Sequence, residues 1–124
     1  VKAHRLMVGE TLNPPGNWSS FPPHKHDEKG VSEAPYEEVY FFRVKPSQGF
    51  GVQRLYTSSD DKDPFDATYV VGDGDTVVIP RGYHPVVAAP GYQLYYLWIL
   101  AGEDRRYGAW SDDPKHSWLK SLGK

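Results

Sequence analysis

Apolar and polar positions alternate in short runs along this chain, and glycine and proline separate the runs. Residues 5–12 read as a strand that ends at Asn13-Pro14-Pro15-Gly16-Asn17. Residues 36–44 are dense in Val, Tyr and Phe and give the clearest early strand. Residues 51–57 form the next, after a turn at 46–49, and a polar loop follows over 58–64. Strands at 67–71 and 76–79 flank Gly72-Asp73-Gly74-Asp75, a tight-turn signal. A short extended piece at 84–89 comes after Pro80-Arg81-Gly82. Residues 92–100 are almost continuously apolar or aromatic, as in a strand buried on both faces. About seven or eight strands at spacings of roughly 8–12 residues predict an all-β sandwich or barrel. Only the tail departs from this pattern: Asp112-Asp113-Pro114 offers an acidic N-cap and a proline for a short C-terminal helix over 115–121. Residues 28–35 follow no period and are expected to be a mobile insertion.

Composition narrows the picture. Twelve glycines, eleven prolines and 15% aromatic residues agree with many turns and short strands. A length of 124 residues predicts one domain, spanning 1–124. The absence of cysteine excludes disulfide frameworks, thiolate zinc sites and cysteine nucleophiles. Fourteen basic against sixteen acidic residues leave no excess positive charge for a nucleic-acid partner. No apolar run approaches the length of a membrane span, and no charged-then-apolar leader opens the chain, so a cytoplasmic protein is expected.

Five histidines are the main source of chemistry. In an extended segment His24 and His26 point to the same face, as two imidazoles of a metal site must. On the following strand, alternation puts Glu38 with Tyr40, Phe42 and Val44, and Glu37 with Val39, Phe41 and Arg43. Neither face is polar, so one of the two glutamates borders apolar surface and needs a partner, which a metal would supply. His84 is delivered by Gly74-x5-Pro80-x-Gly82-x-His84 to the start of the next strand.

His-x-His, a later Glu and this glycine–proline–histidine run resemble the two metal motifs of the cupin superfamily. That resemblance implies a barrel or double-stranded β-helix (jelly roll) with three His and one Glu on an interior metal. Eleven residues separate His26 from Glu38, more than in a generic cupin. A narrower resemblance accommodates the longer loop. Asn13-Pro14-Pro15-Gly16-Asn17-Trp18-Ser19-Ser20-Phe21-Pro22-Pro23-His24-Lys25-His26-Asp27 is similar to the signature of the 5-deoxy-glucuronate isomerases of inositol catabolism. So are Glu37-Glu38-Val39-Tyr40, Gly72-Asp73-Gly74-Asp75, Pro80-Arg81-Gly82-Tyr83-His84-Pro85 and Gly91-Tyr92-Gln93-Leu94-Tyr95-Tyr96-Leu97. The related pectin-pathway ketol-isomerase places its metal Glu directly before Val-Tyr, which carries that role to Glu38. The resemblance covers almost the whole chain but only the C-terminal, metal-bearing half of such two-cupin proteins.

The resemblance implies an aldose–ketose isomerase that converts 5-deoxy-D-glucuronate to 2-deoxy-5-keto-D-gluconate. It implies one divalent metal ion, zinc first and iron or manganese next, on His24, His26, Glu38 and His84. Tyr40 is the expected donor to a substrate oxygen, with Glu37, Tyr92, Tyr96 and Arg81 as further acid–base candidates. Arg54 is the expected partner of the substrate carboxylate, through its guanidinium fork. The expected partners are thus a small sugar acid and, if strand edges are left bare, further copies of the chain as a homo-oligomer. Two other readings fit the same ligands: a cupin dioxygenase with iron, and a non-catalytic sugar-binding cupin.

Overall fold

A computed structural model describes residues 2–122, and in it the alternation read from the sequence becomes the two faces of β-sheets. The strands are β1 Leu6–Asn13, β2 Trp18–Ser19, β3 His24–Lys25, β4 Glu37–Lys45 and β5 Gly51–Tyr56. They continue as β6 Asp66–Val71, β7 Thr76–Ile79, β8 Val86–Ala88, β9 Gln93–Ala101 and β10 Ser111–Asp112. One four-stranded sheet has the order β1-β9-β4-β7 and the other β2-β8-β5-β6, with β10 and β3 paired separately. Every pairing is antiparallel. This is the all-β jelly roll that the pattern and the resemblance predict.

The inward residues of both sheets share one core. Tyr40, Phe42 and Val44 of β4 meet Leu94 and Tyr96 of β9, and Leu55, Val71 and Val86 come from the facing sheet. Burying such side chains contributes about 1.5–3 kcal/mol each, which selects this register over a one-residue slip. Glycine is required where the sheet meets bulk: a Cβ at Gly9 would fall 2.0 Å from the Trp98 ring.

Two expectations are corrected here. The tail is not an α-helix but a 3-10 helix, Ser117–Leu122, whose start is held by Asp113. The Asp113 carbonyl accepts from the N–H of His116 and of Ser117, and its carboxylate from that of Lys115. Residues 28–35 are tied down rather than loose. Arg106 donates to the carbonyls of Gly30, Val31 and Glu33, and buried Glu33 accepts from Lys25 and from two backbone N–H groups.

Candidate metal centre

Four segments converge at one end of the barrel. β3 and the residue after it carry His24 and His26, and β10 holds β3 in place. β4 turns Glu38 inward, on the same face as Tyr40 and Phe42. The Pro80-Arg81-Gly82 turn sets His84 just before β8. Asp27 joins two of these segments, because its carboxylate accepts from the Gly82 N–H at 2.7 Å and from Lys25 at 2.7 Å. Burial raises the Asp27 carboxyl, but Lys25 and the Gly82 amide hold it below the usual range.

His26, Glu38 and His84 are 5%, 4% and 0% exposed. Their ligand atoms lie within 4.8 Å of one another. Nε2 of His26 is 2.9 Å from Oε2 of Glu38, and Nε2 of His84 is 3.1 Å from the same oxygen. Each ring uses its other nitrogen on the backbone: Nδ1 of His84 is 2.9 Å from the Gly82 carbonyl, and Nδ1 of His26 is 3.3 Å from that of Tyr36. A ring that donates through Nδ1 presents a lone pair at Nε2, the arrangement of metal-bound histidine. Nε2 of His84 is fully buried and has no hydrogen-bond partner, despite its short approach to Glu38. A lone pair facing a carboxylate at that distance needs a positive charge between them. Separations of 2.9–3.1 Å also suit donors sharing one ion at about 2.0–2.2 Å. The residues present therefore fit a divalent metal.

His24 lies beside this cluster rather than within it. Its ring centroid is 4.9 Å from that of His84 and 6.3 Å from that of His26, and Trp110 stacks on it at 5.2 Å. Burial, and then the neighbouring imidazoles, push its pKa down to about 3, so it is a neutral donor at neutral pH. Burial raises the Glu38 carboxyl, but His26 and His84 outweigh it and bring it down to about 2. In His26 burial lowers the pKa, and Glu38 reverses the direction and raises it.

The cluster opens onto a cavity of about 220 Å³. Its walls include Ser19, Ser20, Tyr40, Tyr96, Trp98 and Trp110. Tyr40 stacks on Tyr96 at 4.4 Å, and its hydroxyl is 2.9 Å from the Ser20 Oγ. Burial holds the Tyr40 phenol well above its ordinary pKa, so it is a proton donor. Ser20 is the one non-glycine residue with positive φ, at 51°, among the described residues.

Arg54 does not reach this cavity. Strand β5 turns Gln53 and Leu55 inward, so Arg54 faces out and grips Asp66 through two bonds of 2.9 and 2.7 Å. It borders a separate cavity of about 530 Å³ with Tyr56, Asp113 and His116. Of the other candidates only Tyr96 lines the metal-side cavity. Glu37 is exposed on the outer sheet face, Arg81 binds Asp61, and Tyr92 lies against Gly49 and Phe50. Sequence reasoning missed Ser20 and the wall formed by Trp98, Tyr107 and Trp110. Two tryptophans and a tyrosine in and after β9 were the available signal, but nothing local says that they fold back over β3.

The chain is similar to known proteins along most of its length. It is 48% identical over 118 residues to a 5-deoxy-glucuronate isomerase of Geobacillus kaustophilus (strain HTA426), covering 94% of this chain and 41% of that protein. It is 44% identical over 118 residues to a 5-deoxy-glucuronate isomerase of Bacillus subtilis (strain 168), covering 94% and 42%. The chain thus spans less than half the length of the curated relatives it matches. An IolB-like protein from Salmonella typhimurium LT2 superposes with a TM-score of 0.87 at 39% identity, over 95% of this chain and 44% of that one. An oxalate oxidase superposes at 0.64 with 18% identity, over 96% and 51%, and shows the shared fold alone. No helix among the described residues is long and apolar enough to cross a membrane. A model of the KduI/IolB family matches residues 1–119, and with the convergence of the His-x-His, Glu and His motifs in space this makes the chain a member of the KduI/IolB family.

Proposed function

We propose that this chain carries the metal centre of an aldose–ketose isomerase that converts 5-deoxy-D-glucuronate to 2-deoxy-5-keto-D-gluconate in the cytoplasm. The observation that carries the reading is the buried focus of His26, Glu38 and His84, with an unpartnered Nε2 at its centre. His26, Glu38 and His84 would hold one divalent ion, with His24 as the fourth ligand, and zinc is the first choice for three imidazoles and a carboxylate. A divalent ion there would act as a Lewis acid on the substrate carbonyl oxygen.

The chain's own residues supply the rest. Isomerisation moves a proton between adjacent carbons with no net oxidation, so the site must hold an open-chain sugar, orient its hydroxyls and exclude bulk water. Tyr40 presents a neutral phenol to a substrate oxygen, and Ser20 fixes its direction. Trp110 and Trp98 form apolar walls that lower the local dielectric, which strengthens each polar contact within. Arg54 is not part of this site, and the carboxylate of the substrate is left to other groups.

The test is metal content and isomerase turnover, measured together on the purified protein and on His84→Ala. About one metal per chain, with metal and turnover both lost in the variant, is the expected result. Metal without turnover at high enzyme concentration would favour a binding module. Absence of metal from protein prepared without chelators would overturn the reading.

A further inference from the structure

The outer face of the β1-β9-β4-β7 sheet is apolar in its middle. Residues paired across strands share a face, and the register places Val8, Ile99, Val39 and Val78 in one outward row. The next row is Glu10, Leu97, Phe41 and Thr76. Val8 is 56% and Val78 65% exposed, and nothing within the described residues covers them. An antiparallel sheet with one solvated face ordinarily alternates apolar inside with polar outside. Here β4 is apolar on both sides.

The ends of the face carry opposite charge. Along β4 the outward residues run Glu37, Val39, Phe41, Arg43, Lys45. Near Glu37, Arg5 is engaged by Glu103 and Asp104 by Arg106, and Lys29 stands nearby. Near Arg43, Asp73 accepts from Arg43, and Lys45 forms no ion pair among the described residues.

We infer that this face pairs with the same face of a second copy of the chain, about a two-fold axis lying between the sheets and across the strands. That axis runs the two β4 strands antiparallel. It sets Glu37 against the partner's Arg43 and Val39 against the partner's Phe41. A two-fold along the strands would instead set Glu37 on Glu37 and Arg43 on Arg43, which like charges oppose. Two sheet faces packed in this way stand about 10 Å apart. Four strands spaced about 4.8 Å, each contributing about seven residues, give a footprint of roughly 440 Å² in plan. That is small beside the ~800 Å² per partner of stable complexes, so a micromolar dimer is the expectation. The inference is independent of the metal centre, which lies on the inner side of the same sheet.

Sedimentation equilibrium on the wild-type chain, up to about 100 µM, tests it. The expected result is a monomer–dimer equilibrium that Val78→Lys or Val8→Lys shifts to monomer. Both positions are more than half exposed, so lysine there leaves the fold intact, and circular dichroism checks this. Glu37→Lys is expected to weaken the dimer about tenfold, and Glu37→Lys with Arg43→Glu to restore it, because the swap recreates the pair in reverse. A monomer at 100 µM would overturn the inference and leave the face to the part of the relatives' length that this chain does not span. A dimer indifferent to Val78→Lys and Val8→Lys would overturn it as well.

Discussion

At the scale of single residues, the chain settles buried polar groups in pairs. The Tyr56 hydroxyl donates to the Asp113 carboxylate at 2.6 Å and so pins the tail to β5. Burial, the hydrogen bond to Asp113 and the Asp113 charge all raise the Tyr56 pKa above its ordinary value near 10. A raised folded-state pKa gives stability that is fully present below the unfolded value and lost as pH rises through the folded one. Tyr56→Phe is therefore expected to cost about 1–3 kcal/mol at neutral pH, since a hydrogen bond to a charged group is removed. The gap between wild type and variant should stay constant to about pH 10 and narrow above it, in urea midpoints taken at pH 7, 9 and 11. A gap unchanged at high pH would mean that Tyr56 ionises as freely in the folded chain as in the unfolded one. The ligands were legible at this scale, because strand parity alone put Glu38 on the Tyr40 side. Arg54 was not. Its strand was read correctly, but both faces of β5 mix polar and apolar residues, and it is Gln53 that turns inward.

At the scale of elements, long strands announced themselves and short ones did not. β4 and β9 have nine residues each, enough for a period to show. β2, β3 and β10 have two residues each and exist only because partners hold them. The same holds for residues 28–35, which Arg106 ties down from far along the chain. Turns, by contrast, were visible in glycine and can be tested through it. Gly82 has φ of 89°, and a Cβ there would fall 2.6 Å from the Tyr56 carbonyl oxygen. Gly82→Ala must therefore shift the turn that carries His84, whose Nδ1 leans on the Gly82 carbonyl. The expected result is a stability loss above about 2 kcal/mol and metal affinity lowered about tenfold or more. Gly74 has the same φ but nothing within 4 Å. Gly74→Ala should cost only the backbone penalty, about 1–2 kcal/mol, and leave metal affinity intact. Equal effects of the two substitutions on metal binding would break the link between the turn and His84.

At the scale of the whole molecule, the core and the site make separate demands on the fold. The main cluster of buried side chains joins both sheets through apolar contacts that include Tyr40 but none of the histidines. The metal ligands come instead from β3, β4 and the turn before β8, so an ion there would bind one sheet to the other. Two consequences follow from that division. The metal-free chain should remain folded, because its core does not depend on the ion. The metal-loaded chain should be more stable, because a ligand that binds only the folded form contributes RT ln(1 + [L]/Kd), about 2.7 kcal/mol at a hundredfold excess over Kd. For a domain of this size that corresponds to a melting point raised by on the order of 10 °C. Chelation should remove the increment from wild type and leave His84→Ala unaffected, in thermal scans with and without added zinc. A melting point of wild type indifferent to chelator and zinc would mean that no ion links these elements, and the unpartnered Nε2 of His84 would then need a different explanation.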